Sequence, residues 1–224
     1  MPVAVKVCGL REPEAVRAAA AHGARAVGFV FYPPSPRDVT PAQAGALSAD
    51  LADGVLKVGV FVDPDDALLD AVLGTVPLDV LQLHGGEGPE RVMALRTRTG
   101  RQVAKALRVA TAADLEPVER FARVADYILL DAKPSPAPKT LPGGNGLSFD
   151  WRLVRGLPAG LSWMLSGGLD ADNLAEAIGL TGARFVDVSS GVESSPGVKD
   201  SAKIRRFLET AAGLEPGRRG GGEG

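Results

Sequence analysis

The chain has 224 residues, 45% hydrophobic and 23% charged, with a mean hydropathy near zero, which is typical of a soluble globular domain with a substantial core. The formal net charge is −2 and no long basic run occurs, so neither nucleic acid nor an anionic membrane is an expected partner. No stretch is apolar enough for a membrane helix, and the N-terminus lacks the pattern of a signal peptide. With only one cysteine, the chain suits a reducing compartment, and we expect a cytoplasmic protein.

Short β-branched runs alternate with periodic stretches rich in Ala and Leu. The predicted strands are VAVKVC (3–8), RAVGFVF (25–31), VLKVGVFV (55–62), DVLQLH (79–84), QVAKALRV (102–109), DYILLD (126–131), LSWMLS (161–166) and RFVDVSS (184–190). The helical patterns between and after them are EAVRAAAAHG, PAQAGALSADL, DDALLDAVL, PERVMALRTR, TAADLEPVERFA, DNLAEAIGL and DSAKIRRFLETA. After the sixth strand the helical candidate, FDWRLVRG, is short and follows a long loop.

Regular alternation of strand and helix predicts a parallel sheet, and eight such units close an α/β (βα)8 TIM barrel. The alternative is a doubly wound open sheet, but such sheets usually have fewer strands, and no G-x-G-x-x-G follows the first strand. No linker divides the chain, so residues 1–213 are interpreted as a single barrel domain. Residues 214–224 are rich in Gly and charge, which predicts a disordered, solvated tail.

In a (βα)8 barrel the active site lies at the C-terminal ends of the strands. The polar candidates that satisfy this rule are Cys8, Gln82, His84, Asp131, Ser166 to Gly168 and Ser189 to Gly191, with Arg37 in the loop after the second strand. Cys8 ends the first strand and Asp131 ends the sixth. A lone cysteine is either a small buried hydrophobe or a reactive thiol, and its place at the catalytic rim leaves both interpretations open.

The loops after the seventh and eighth strands read SGGLD (166–170) and SSGVE (189–193). Small residues let a phosphate approach the backbone N–H groups, and (βα)8 barrels commonly bind a substrate phosphate with this pair of loops. The candidate phosphate ligands are therefore Gly167, Gly168, Ser190 and Gly191. The alternative is that both loops are only tight strand-to-helix connections.

Neither a metal nor another cofactor is expected. His84 alone lies near the rim, whereas a hydrolytic metal site would normally need several His, Asp or Glu ligands there. His22 falls at the end of the first helical pattern, where a capping or solvated role is the default. No G-x-S-x-G motif is present, so a Ser-His-Asp triad has no support. The expected activity that remains is acid–base chemistry on a small phosphorylated molecule.

Several motifs, in order, are similar to one family: KVCGL (6–10), AVGFVFYPPSPR (26–37), VGVFV (58–62), LQLHG (81–85), LLD (129–131), GGNG and FDW (143–151), LSGGL (165–169) and VDVSSGVESSPGVKD (186–200). The chain resembles the phosphoribosylanthranilate isomerases, cofactor-free (βα)8 enzymes of tryptophan biosynthesis, over residues 3–211. Two departures concern the loop after the sixth strand: Asn145, where the family generally has Thr or Ser, and the extended segment 134–142.

The resemblance implies an Amadori rearrangement, with Cys8 as general base and Asp131 as general acid. It also implies that Arg37 binds the anthranilate carboxylate, that His84 and Gly144 contact the substrate, and that the glycine-rich turns hold the 5′-phosphate. The related sugar isomerase of histidine biosynthesis uses carboxylates for both roles, so Cys8 argues against it. A non-catalytic phosphosugar-binding module is the alternative from another class. Monomer and homodimer both remain open.

Strand alternation supports one further prediction. If Cys8 points into the barrel mouth, Lys6 points into the barrel one layer deeper, and the same phase directs Asp187 of the eighth strand inward. A buried ammonium needs a partner, so Lys6 and Asp187 are expected to pair. The alternative is that Lys6 extends along the barrel to water at the bottom.

Overall fold

The computed structural model describes residues 2–49, 51–133, 148–158 and 160–215. Eight parallel strands close into a barrel in the order β1 to β8, which confirms the predicted (βα)8 architecture. They are Ala4–Cys8 (β1), Ala26–Phe31 (β2), Leu56–Phe61 (β3), Val80–Leu83 (β4), Gln102–Val109 (β5), Tyr127–Ala132 (β6), Trp163–Leu165 (β7) and Phe185–Val188 (β8). A short antiparallel hairpin of Glu193–Ser195 (β9) and Val198–Lys199 (β10) follows.

The α-helices surround the barrel. They are Pro13–Ala21 (α1), Pro41–Ala49 (α2), Asp66–Leu73 (α3), Pro89–Thr99 (α4), Val118–Ala122 (α5), Leu174–Thr181 (α6) and Ser201–Ala212 (α7). Short 3₁₀ helices cover Ala112–Leu115, Trp151–Gly156 and Ser190–Val192. Local chemistry sets several ends: Asp65 accepts from the Leu68 N–H at the start of α3, Asp200 caps α7, and Gly100 ends α4 in the left-handed conformation.

The predicted single helix over 111–122 is wrong. The structure has a 3₁₀ turn at Ala112–Leu115 and a separate short helix, α5. Pro117 lies between them and has no N–H to donate, so it interrupts the i to i−4 hydrogen bonds of a continuous helix.

The predicted eighth strand, 184–190, is also too long. The strand ends at Val188, and Ser190 begins a 3₁₀ turn that leads into the β9–β10 hairpin. The sequence analysis did not predict this hairpin. Gly144 and the segment 134–142 lie outside the described residues, as does nearly all of the predicted tail.

The core has two layers. The larger one packs the outward faces of the strands against the helices. A smaller apolar cluster fills the barrel interior, with Ala26, Val58, Val80, Ala104, Ala106, Leu129 and Met164 as its buried members. Successive strand residues point to opposite faces, so the residues one layer above this cluster point into the barrel mouth. This alternation places the candidate side chains together.

Candidate active site

Cys8 is the last residue of β1 and is 7% exposed at the mouth of the barrel. Its thiol packs with Val30 and Val60, and Tyr32 covers this group. Gly28 is its neighbour on β2, and a Cβ at that glycine would lie 3.0 Å from the Cys8 Sγ. The absence of a side chain at Gly28 therefore makes room for the sulfur.

Beneath the thiol, the Lys6 Nζ lies 2.8 Å from the Asp187 Oδ1. Lys6 is fully buried, so the predicted ion pair is confirmed and the alternative of a lysine reaching water is wrong. The Ser166 Oγ donates to the other carboxylate oxygen of Asp187 at 3.3 Å. Both oxygens of Asp187 are thus engaged inside the barrel.

Burial and the neighbouring charged groups control the ionisation of the Cys8 thiol. Burial raises the pKa of Cys8 above its usual value, because a thiolate loses its hydration there. The ammonium of Lys6 opposes that effect and lowers the pKa, whereas the carboxylate of Asp187 raises it. Lys199 also lowers it, more weakly. The structure therefore contains both a group that favours the thiolate and a group that opposes it.

Asp131 lies on β6 and is also buried. Its Oδ1 accepts from the Ala132 N–H at 2.9 Å, and its Oδ2 lies 3.2 Å from the His84 Nε2. The Gln82 Nε2 lies 3.2 Å from the His84 Nδ1. When the Gln82 amide donates to Nδ1, the Nε2–H of His84 donates a hydrogen bond to Asp131. This network fixes the orientation of the carboxyl group.

Cys8 and Asp131 lie on different sides of the mouth, but their strands are not directly opposite. In the closed order, β7 and β8 separate β6 from β1 on one side, and the strand opposite β1 is β5. The mouth residue of β5 is Arg108, which is paired in register with Asp131 and whose Nη2 donates to the His84 carbonyl at 3.2 Å. Sequence reasoning missed Arg108, although its inward phase follows from Ala104 and Ala106.

Arg37 is buried and forms a bidentate ion pair with Glu193, through Nε–Oε1 at 2.7 Å and Nη2–Oε2 at 2.8 Å. Lys199 also contacts the Glu193 Oε1, at 2.7 Å. Burial raises the pKa of Glu193, but the positive charges of Arg37 and Lys199 outweigh this effect and hold the pKa below its usual value. A Cβ at Gly9 would lie 2.6 Å from the Arg37 Cδ, so this glycine lets the arginine pass close to the end of β1. The sequence analysis did not identify Glu193 or Lys199.

The two glycine-rich loops meet. Gly167 and Gly168 have φ values of 91° and 65°, which favour glycine. A Cβ at Gly191 would lie 1.9 Å from the Leu169 carbonyl oxygen, so the second loop packs directly on the first. Ser190 begins the 3₁₀ turn that contains Gly191. The two loops that carry the four residues predicted to bind phosphate are therefore in contact with each other.

Another buried ion pair lies on the outward face of the barrel strands. The Lys105 Nζ is 2.6 Å from the Glu87 Oε2 and 2.7 Å from the Gly85 carbonyl, and both side chains are nearly inaccessible. The Glu87 carboxylate also accepts from the N–H groups of Asp63 and Gly85. This pair, which sequence reasoning missed, ties down the loop that begins at His84.

Within residues 2–49, 51–133, 148–158 and 160–215, no three His, Cys, Asp or Glu side chains are grouped so that they would hold a metal ion. In the same residues, no helix is long and apolar enough to cross a membrane.

The closed barrel, with a buried thiol, a buried carboxyl group and two glycine-rich loops at its mouth, defines the class of (βα)8-barrel enzymes. The sequence model of the family "N-(5'phosphoribosyl)anthranilate (PRA) isomerase" matches residues 5–210. An N-(5'-phosphoribosyl)anthranilate isomerase of Paramagnetospirillum magneticum is 55% identical over 216 residues, which are 96% of this chain and 100% of the relative. The chain therefore belongs to the phosphoribosylanthranilate isomerase family, as its motifs predict.

Solved structures agree with this assignment. The crystal structure of phosphoribosylanthranilate isomerase from Thermotoga maritima matches with a TM-score of 0.84 and 38% identity, over 95% of this chain and 100% of that one. A structure of such an isomerase in complex with reduced 1-(o-carboxyphenylamino)-1-deoxyribulose 5-phosphate matches with a TM-score of 0.82 and 37% identity, at the same coverage. This chain is accordingly an isomerase of tryptophan biosynthesis.

Proposed function

We propose that the chain converts N-(5-phosphoribosyl)anthranilate to 1-(2-carboxyphenylamino)-1-deoxyribulose 5-phosphate, the third step from chorismate to tryptophan, with Cys8 as general base and Asp131 as general acid. The observation that carries these roles is the placement of a buried thiol and a buried carboxyl group on different sides of one mouth, with a pair of touching glycine loops at the same end of the barrel. The free thiol supports placing this reaction in the cytoplasm.

In the first step Asp131 protonates the furanose ring oxygen. The bond from this oxygen to C1′ breaks, the oxygen keeps the electron pair, and the nitrogen lone pair forms the C=N bond of an iminium ion. The hydrogen bonds from Ala132 and His84 hold the plane of the carboxyl group, so that it can face the ring oxygen. We propose that His84 also contacts the substrate from this position.

In the second step the Cys8 thiolate removes the C2′ proton. The electrons of the C–H bond form a C=C bond and neutralise the iminium nitrogen, which gives an enolamine. Movement of one proton from the C2′ hydroxyl to C1′ then yields the ketone. Asp131 loses one proton and Cys8 gains one, so the substrate is isomerised with no redox partner, and proton exchange with water restores both groups for the next turnover.

Binding is assigned to the remaining candidates. Arg37 is held by Glu193 beside the end of β1, where a guanidinium suits the planar anthranilate carboxylate. The loops of Gly167 to Gly168 and Ser190 to Gly191 present a small-residue surface to the phosphate. We keep Gly144 as a substrate contact on the strength of the family motif.

The test is turnover of freshly generated phosphoribosylanthranilate, followed by loss of its fluorescence. Wild-type protein should convert the substrate without added cofactor, and Cys8→Ser should bind the reduced product analogue but turn over poorly. A phosphosugar-binding module would bind the analogue with both proteins and convert nothing. Wild-type binding without turnover would therefore overturn the proposed function.

A further inference from the structure

The side chains of Lys6 and Cys8 share one face of β1 and meet at the same point of β2. A Cβ placed on Gly28 would lie 3.0 Å from the Cys8 Sγ and 3.2 Å from the Lys6 Cε. The end of the lysine chain and the sulfur therefore approach the same point of β2, and the glycine leaves the space that both occupy. Below this level the barrel interior is apolar.

The Lys6–Asp187 pair is not explained by stability alone. Removing two charges from water costs free energy, and apolar residues of similar volume often replace a buried ion pair without loss of stability. The pair nevertheless occupies the layer directly below the thiol. Its carboxylate is turned toward the Lys6 ammonium and the Ser166 hydroxyl, at 2.8 Å and 3.3 Å. That arrangement places a fixed positive charge beside the sulfur.

We propose that Lys6 is a positioning residue whose ammonium favours the Cys8 thiolate required for proton removal from C2′, against the cost of burial, and that Asp187 limits this effect while anchoring the ammonium. The inference rests on the proposed role of Cys8 as general base. It adds a function for a charged side chain that is fully buried beneath the thiol.

The other charged groups near the thiol are already committed elsewhere. Lys199, from β10, contacts Glu193 and the Ser189 carbonyl and hydroxyl. Arg37, which passes over the residue after Cys8, directs its guanidinium to Glu193. On the adjacent strand, β2 presents Gly28 and Val30, which carry no charge.

The direction of each effect on the thiol follows from this geometry. Burial raises the pKa of Cys8, Lys6 lowers it and Asp187 raises it. Removing the ammonium should therefore disfavour the thiolate, and removing the carboxylate should favour it. Opposite shifts from two members of one ion pair are a result that a purely structural role does not produce.

Cys8 is the only cysteine of the chain, so alkylation reports its ionisation without any labelling strategy. The experiment measures the rate of alkylation by iodoacetamide against pH, in the full chain and without substrate, for wild type, Lys6→Met and Asp187→Asn. In Lys6→Met we expect the inflection to move up by about one pH unit or more, a tenfold loss of thiolate at a given pH below it. In Asp187→Asn we expect it to move down.

Lys105→Met is the matched control, because it makes the same change in an equally buried lysine–carboxylate pair outside the barrel. Its alkylation profile should coincide with that of the wild type. Lys6→Arg keeps a positive charge and should restore most of the wild-type profile. An inflection in folded Lys6→Met within about 0.3 pH unit of the wild type would overturn the proposal.

If Lys6→Met does not fold, the role of the ammonium is tested by comparing the alkylation profiles of Asp187→Asn and the double variant Lys6→Met/Asp187→Asn. The double variant should have its inflection above that of Asp187→Asn, and the same inflection in both would refute a role for the ammonium. The pH profile of kcat/KM separates this inference from the proposed function. If alkylation shifts as expected while the acidic limb of kcat/KM does not, the assignment of Cys8 as general base fails, but the control of its ionisation by Lys6 stands.

Discussion

The two groups proposed to react, Cys8 and Asp131, are supported in different ways. On the side of β1, the Cys8 thiol lies beside a buried ion pair, Lys6–Asp187, and so among full charges. On the side of β6, the Asp131 carboxyl group is held by a backbone N–H and by His84, which is held in turn by the neutral amide of Gln82.

This difference corresponds to what each group must do. A base that is neutral at ordinary pH needs a nearby charge to become anionic, and charges act on ionisation over several ångströms in a poorly hydrated site. An acid that must reach one ring oxygen needs orientation, which short hydrogen bonds from fixed donors supply. The comparison predicts that substitutions near β1 shift the pH dependence of Cys8 alkylation. Substitutions near β6 should lower kcat and leave that pH dependence unchanged.

The largest effect is expected from removing either reacting group. Cys8→Ala and Asp131→Asn should each lower kcat by about 10²–10⁴-fold, the range of a general acid or base contribution. Steady-state fluorescence kinetics provide the measurement, with circular dichroism as the control for folding. A near-normal kcat in either purified variant would show that the substituted residue is not the proposed acid or base.

The next largest effect concerns stability on the β1 side. Lys6→Met should cost about 3–5 kcal/mol of unfolding free energy, because Asp187 is left charged and unpaired in the barrel. The double variant Lys6→Met/Asp187→Asn should lose much less. A double-mutant cycle in urea unfolding measures the interaction, and a coupling energy indistinguishable from zero would contradict it. Lys105→Met with Glu87→Gln gives the corresponding cycle outside the barrel.

Arg37→Lys should act mainly on binding. A lysine cannot reproduce the bidentate contact with Glu193 or a bidentate contact with a carboxylate, so KM should rise by about tenfold while kcat changes little. Kinetics with the anthranilate substrate test this, and an unchanged KM would show that the guanidinium serves only the structure of the loop after β2. The variant should leave the alkylation profile of Cys8 nearly unchanged.

A smaller effect is expected from Gln82→Leu. The Gln82 Oε1 has no hydrogen-bond partner within the described residues, so losing the amide costs little stability. The imidazole of His84 loses the donor to its Nδ1, and kcat should fall by about 2–10-fold, the value of one ordinary hydrogen bond. The pH dependence of Cys8 alkylation should not move. If it did, the two sides of the mouth would be coupled and the distinction between them would be wrong.

The last prediction is that removing metal ions has no effect on activity. Exhaustive chelation with EDTA should leave activity intact, because every proposed step is a proton transfer or a rearrangement that follows one. Activity lost on chelation and restored by an added divalent metal would contradict the mechanism on both sides of the mouth.

Much of the site follows from local sequence. Strand ends identified Cys8, His84 and Asp131, since the position of a residue along a strand is readable from periodicity and barrels place their chemistry at one edge. The partners of these residues were harder to identify. Glu193 reaches Arg37 across 156 positions of sequence, and nothing local marks either as half of a pair.

The sequence by itself determined the barrel, its strand order and the inward phase of Lys6, Asp187 and the rim residues, because hydrophobic periodicity and strand–helix alternation are local properties. Only the tertiary structure decided whether Lys6 meets Asp187 or extends to water, and which residues meet Arg37. The closure of β8 on β1 brings Asp187 to Lys6, and the β9–β10 hairpin brings Glu193 and Lys199 to Arg37. Such contacts depend on side-chain reach and on how the closed barrel shuts out water, and both are set by parts of the chain far apart in sequence.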